Sequence, residues 1–121
     1  MRGGGTFHVP VTINGAIRLP FIIDSGAADV TIPDDVMLTL IRSGTINDDD
    51  FLGKRTYRLA DGSTVPSTTF RIRSLTVGDT VLENVTAGTT SVSGEPLLGQ
   101  SFLRRFRSWS IDNARGVLVL E

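Results

Sequence analysis

Phe21-Ile22-Ile23-Asp24-Ser25-Gly26-Ala27 is the stretch whose reading decides the fold. Three apolar residues run straight into an acid, a hydroxyl and a glycine, and Val30-Thr31-Ile32 resumes the apolar pattern a few residues later. A strand bound for a core does not end in a carboxylate without cause, because a charge removed from water is costly unless it is paired or protonated. Ser25 and Gly26 supply the cause: a tight turn that presents Asp24 at one controlled point. The rest of the chain reads as a frame built to hold it there.

Upstream, Thr6 to Ile13 alternates, with Phe7, Val9, Val11 and Ile13 on one face and His8, Pro10 and Thr12 on the other. That is the two-residue period of a half-buried strand. Pro10 cannot donate to a ladder, which marks an edge or a bulge. Asn14-Gly15 is a strong hairpin signal, since both central positions of a type I′ turn need positive φ. The return strand places Ile17, Leu19, Phe21 and Ile23 on one face and Arg18, Pro20, Ile22 and Asp24 on the other, so Asp24 points away from the Phe21/Ile23 face.

Downstream, Pro33-Asp34-Asp35 opens a helix, with acids near the positive end of its dipole. Val36, Met37, Leu40 and Ile41 form its apolar stripe, and Gly44 stands at the C-terminal cap. Asn47-Asp48-Asp49-Asp50 lacks the ligand spacing and distal Glu of an EF-hand loop; it reads as a solvated loop or the capped start of one helical turn. Arg55 to Ala60 and Thr64 to Phe70 flank Asp61-Gly62-Ser63 as a hairpin with a polar tip. Phe70 to Val77 continues as strand, Gly78-Asp79 turns, and Val81 to Ala87 pairs back. Glu95-Pro96-Leu97-Leu98-Gly99 brings two aliphatics to a glycine that permits close backbone approach. Gln100 to Phe106 reads as a short helix with Phe102, Leu103 and Phe106 inward and Arg104, Arg105 and Arg107 outward. Trp109 to Asp112 and Gly116 to Leu120 form a last hairpin. Its second strand is apolar on both faces, so its cover is expected from a second subunit. The expected fold is mainly β, a small closed or partly closed barrel with one or two short helices.

Composition narrows the function. The 121 residues carry a net charge of −1 and 40% hydrophobic residues, with a pI near 5.8 and a mean hydropathy of +0.09. No basic face is implied for nucleic acid or an anionic membrane. The absence of cysteine excludes disulfides and thiolate sites. No apolar run reaches the ~18 residues of a membrane-spanning helix. Residues 1–5 read as a flexible leader to one domain covering 1–121. The compartment stays open, and the sequence suits a soluble piece of a longer, membrane-anchored bacterial protein. The single histidine, His8, reads as an outward strand residue; a Ser-His-Asp hydrolase or a His-carboxylate zinc site would have to recruit it. A serine hydrolase acting through Ser25 also lacks the Gly-x-Ser-x-Gly turn.

The spread of motifs resembles a family. Asp24-Ser25-Gly26-Ala27, Asp29 to Pro33, Ala60-Asp61-Gly62, Leu97-Leu98-Gly99-Gln100-Ser101-Phe102-Leu103 and Val117 to Leu120 together resemble a single-domain, retropepsin-like aspartic protease of bacterial type. The resemblance implies an aspartic endopeptidase without metal or cofactor, acting on extended polypeptides. Asp24, Ser25 and Gly26 would be the catalytic triplet. Ala27, Ala28, Asp29, Ala60, Asp61 and Gly62 would line the substrate, the last three in a flap. Leu97, Leu98 and Gly99 would prop the catalytic loop. Two carboxyls that share a proton are required, and the chain offers one Asp-Ser-Gly. The implied enzyme is therefore a homodimer with an Asp24 from each subunit. Ser25 would then bond across the interface, and neither nucleic acid nor membrane would be a partner. The alternative is a non-catalytic relative that binds peptides or dimerises with its carboxylates idle.

Two positions depart from the retroviral pattern. An acid two residues after the triplet's glycine and an arginine after the apolar-apolar-Gly segment are replaced by Ala28 and Gln100. Both charges are missing together, so neither is left buried and unpaired. The expectation is a working site with different wiring.

Overall fold

The computed structural model describes residues 2–3, 6–58 and 61–121. Strand β2 (Thr6–Ile13) buries Phe7, Val9, Val11 and Ile13 as the alternation requires. It pairs antiparallel with β3 (Ile17–Ile23). Asn14 and Gly15 both take positive φ, 51° and 65°. The register sets Ile13 opposite Ile17, so Ala16 joins them in a three-residue connection, one longer than a simple type I′ hairpin. Asn14 also does tertiary work: its Nδ2 donates to Thr45 O at 2.7 Å and its Oδ1 accepts from Ser74 N at 3.0 Å. At the start of the chain, β1 (Arg2–Gly3) pairs with Phe7 and Thr6 of β2, where the sequence suggested a flexible leader. Met1, Gly4 and Gly5 lie outside the described residues.

Strand β4 (Val30–Pro33) leads into α1 (Asp34–Arg42), with Asp34 and Asp35 in its first turn. Met37 and Leu40 are buried, but Ile41 is 43% exposed and drops out of the expected stripe. The acidic run that follows is one 3₁₀ turn, Asp48–Asp50, closed by a capping box from Asn47. Its last acid is not solvated. Asp50 is fully buried, and its carboxylate accepts from Arg73 Nε at 3.1 Å and from Asn47 N at 3.1 Å.

Strands β5 (Phe51–Arg58) and β6 (Thr64–Val77) form the long hairpin, with a register shift between Phe51 and Gly53. Strand β7 (Thr80–Thr90) returns along β6 and pairs parallel with β4. The two-residue strand β8 (Leu97–Leu98) slides between β3 and β4, parallel to the first and antiparallel to the second. Thr12–Thr76 and Ile13–Leu75 pairs then join β2 to β6. The order β2-β3-β8-β4-β7-β6 thus closes on itself as a ring. Inside it lie Val11, Ile13, Phe21, Ile32, Phe70, Ile72, Leu75 and Leu98, all without exposed surface.

Helix α2 (Gln100–Leu103) has four residues and stops short of the expected Phe106. Phe106 still packs, its ring 5.2 Å from that of Phe102. Of the outward arginines, Arg105 donates to Glu83 O within β7 at 2.8 Å. Strands β9 (Trp109–Asp112) and β10 (Val117–Leu120) form a separate two-stranded sheet. Val117 is 39% exposed and the remainder of β10 is half-buried, so one chain does not cover this strand. His8 is more enclosed than expected: its side chain is 17% exposed and its Nε2 lies 2.5 Å from Glu95 Oε2. Among the described residues no helix is long and apolar enough to cross a membrane.

Asp50 is the buried acceptor that joins Arg73 to the Asn47 N–H, so its removal breaks both bonds and leaves a hole in the interior. Asp50→Ala is expected to destabilise the fold by about 3 kcal/mol, read as a lower urea midpoint at unchanged slope.

Candidate active site

Strand β3 ends at Ile23, and the next peptide N–H, that of Asp24, donates to Leu98 O at 3.0 Å. The strand pairing therefore carries one residue past the strand and fixes where Asp24 leaves it. The chain then turns on itself. Ala27 N donates to Asp24 O at 3.2 Å, and Gly26 N donates to Asp24 Oδ1 at 2.9 Å. One carboxylate oxygen is aimed by its own turn. Among the described residues no donor meets Oδ2. Asp24 is half-buried, while Ser25, Gly26 and Ala28 are exposed and Ala27 and Asp29 are half-buried. The acid thus sits at the floor of an open turn, with one oxygen held and one available.

The turn rests on the segment Leu97 to Ser101. Leu98 and Gly99 are buried and Leu97 half-buried. Gly99 is a glycine for want of space: a Cβ there would lie 2.3 Å from Asp29 O and 2.6 Å from Ala27 O. Immediately beyond it, Gln100 N donates to Ala27 O at 2.8 Å and Ser101 N to Ala28 O at 2.9 Å. Gln100 Nε2 reaches Ser25 O at 2.7 Å. The Ser101 hydroxyl accepts from Val30 N and donates to Thr86 O, both at 2.8 Å. Carbonyls along the exposed turn, which would otherwise point into solvent, are tied one after another to the start of α2.

Gln100 and Ser101 are the residues that motif reading undervalued. Gln100 stood out only as a missing arginine, and Ser101 only as part of a segment. A hydroxyl two residues after Gly99 was the available signal, but its two partners come from β4 and β7, which local pattern does not bring together.

Asp61 and Gly62 stand on the exposed tip of the β5–β6 hairpin, and Ala60 lies outside the described residues. Asp61 Oδ1 accepts from Ser63 N at 2.9 Å and from Ser63 Oγ at 2.5 Å. Those two bonds hold the Asp61 carboxyl below the usual aspartate range. Among the described residues no group of three or more His, Asp or Glu is placed to hold a metal ion.

Residues 9–105 match the sequence model of the family described as gag-polyprotein putative aspartyl protease. The chain belongs to that family. The matched span runs from β2 through α2 and contains both the Asp24 turn and the segment beneath it. A solved structure similar to this gag-type aspartyl protease relative is that of a retropepsin-like aspartic protease from Rickettsia conorii. The two superpose with a TM-score of 0.70 at 22% identity, covering 98% of this chain and 92% of that one. The fold is therefore the retropepsin-like one. No curated protein sequence matches.

Two expectations follow for the gag-type fold. Gly99→Ala forces backbone apart at Ala27 and Asp29 and should cost about 3 kcal/mol, with lost protection of the Ala27 to Ser101 amides in hydrogen exchange. At the hairpin tip, a depressed Asp61 pKa means the ionised acid favours the ordered turn. That contribution is present above the ordinary value of 3.8 and is lost as pH falls through the lower, folded value. The Ser63 amide resonance should therefore move towards its disordered position only in that acid window, and Asp61→Ala should abolish the transition.

Proposed function

We propose that the chain is an aspartic endopeptidase whose active site is assembled from the Asp24 of two copies. The observation that carries this is the state of Asp24: a half-buried acid at a strand end, with Oδ1 held by Gly26 N–H and, among the described residues, no donor to Oδ2. Asp50, by contrast, has both oxygens engaged.

Hydrolysis of a peptide by two carboxyls divides the labour. One, ionised, takes a proton from water; the other, protonated, polarises the scissile carbonyl. Carboxyls about 3 Å apart cannot both ionise, so they share a proton and titrate as a pair, which is how aspartic proteases work as a class. One Asp-Ser-Gly per chain supplies half of that pair. The exposed Ser25 hydroxyl and the open Oδ2 are the groups left to meet a second copy across a two-fold axis. The incompletely covered strand β10 supports the same reading, because its apolar side chains would gain burial against a second copy. Ala27, Ala28 and Asp29 would border the bound peptide, held in extended form by strand-like main-chain bonds. The tip of the β5–β6 hairpin, with Asp61 and Gly62, would close over it. On this reading 1–121 is one protease domain.

Asp24→Asn tests both halves. It should lower cleavage of a mixed peptide library by at least about a thousandfold while leaving the thermal midpoint unchanged. Mixing equal amounts of wild type and Asp24→Asn, at fixed total protein and after subunit exchange, should leave about a quarter of the activity, the share of dimers with two acids. A remaining half would mean independent chains, and undiminished cleavage by Asp24→Asn would mean that the acid is not catalytic.

A further inference from the structure

We propose that Gln100 is a positioning residue for Asp24, acting through the Ser25–Gly26 peptide as a neutral strut. The inference rests on the catalytic reading of Asp24. Its basis is that two of the hydrogen bonds described above share one peptide unit. The carbonyl of Ser25 accepts from Gln100 Nε2 at 2.7 Å. The N–H of Gly26, on the other side of the same C–N bond, donates to Asp24 Oδ1 at 2.9 Å. A peptide is planar, so fixing the direction of its oxygen fixes the direction of its hydrogen. Gln100 holds one end of the plane and Asp24 is held by the other.

Without that grip the plane has little to stop it turning. Ser25 and Gly26 are exposed, so no packing blocks the swing, and glycine accepts either sign of φ. A flip would take the N–H away from Oδ1 and present a carbonyl oxygen to the carboxylate instead. The backbone N–H of Gln100 also donates to Ala27 O at 2.8 Å, so the same residue anchors the turn one residue beyond Gly26. The acceptance of a hydrogen bond by the Ser25 carbonyl further polarises the unit and strengthens the Gly26 N–H as a donor.

The chemistry of the strut matters as much as its place. A carbonyl can only accept, so position 100 must supply a donor. An amide supplies it without charge at every pH. Because position 28 is alanine and position 100 glutamine, no charge of this pair stands behind the turn.

Two variants test this. Gln100→Met keeps length and removes the donor. It should lower kcat roughly tenfold with KM within about twofold, as expected for a misaimed group rather than a lost binding contact. The Gly26 amide should exchange with solvent about tenfold faster, with exchange in β6 unchanged. Gln100→Glu makes the donor conditional. Below about pH 4.3 the introduced carboxyl is protonated and can donate to Ser25 O, so activity relative to wild type at the same pH should be restored. Above that it should fall to the Gln100→Met level. A purely structural role would give no such pH-dependent ratio, and a folding failure would not reverse with acid. Unchanged kcat in Gln100→Met, unchanged Gly26 exchange, or a Gln100→Glu ratio flat with pH would each overturn the strut. Wild-type protein that cleaves no peptide would instead overturn the protease reading, with Gly26 exchange still deciding whether the strut exists.

Discussion

The parallel pairing of Ile22 and Ile23 with Leu97 and Leu98 is the constraint on which the rest depends. It is only two residues long, yet it places a strand from near the end of the chain between two from near its start. By extension it supplies the Leu98 carbonyl to Asp24 and brings Gly99 against Ala27 and Asp29. Everything at the turn follows from that approach. Any side chain at position 99 would hold the two segments apart, and the bonds from Gln100 and Ser101 would have nothing to reach. The apolar ring around Phe21, Phe70 and Leu98 serves the same end, because burying those side chains fixes the backbones that carry the turn.

Much of this was legible in the residues. The alternation from Phe7 to Ile13, the Asn14-Gly15 turn and the Gly78-Asp79 turn all describe local geometry, and local geometry is what periodicity and turn chemistry encode. The acid at position 24 was visible because it interrupts a pattern. Less visible was anything decided by a distant partner. Asn47 to Asp50 reads as four equivalent polar residues, but Asp50 alone is drawn inside because Arg73 arrives from β6. The extra residue in the first hairpin is set by pairing, not by the turn dipeptide. Helix α2 ends after Leu103 although its apolar spacing runs on to Phe106, since the ring contact with Phe102 satisfies Phe106 outside a helix.

The difference between Asp24 and Asp50 shows how one residue type serves two purposes in one small protein. Asp50 is sealed, with cations and a backbone N–H filling its lone pairs; its worth lies in being complete. Among the described residues Asp24 is held by one oxygen only, at the edge of solvent. The first arrangement resists change, and the second leaves a valence for chemistry or for a second copy of the chain. Both acids are placed by a residue far along the sequence, which ties the candidate site to the global fold rather than to any one loop.

Synthesis runs from the N-terminus, and this gives the late position of Leu97 to Ser101 a consequence in time. As a nascent chain lengthens, Asp24 emerges early and its turn can close on itself through Ala27 and Gly26. It has no Leu98 carbonyl, no Gln100 amide and no Ser101 hydroxyl until strands β4 to β7 have been made. The turn therefore stays unsupported while those strands are synthesised, and its geometry is completed only when they are ready to close around it. Chain order alone delays the completion of the turn.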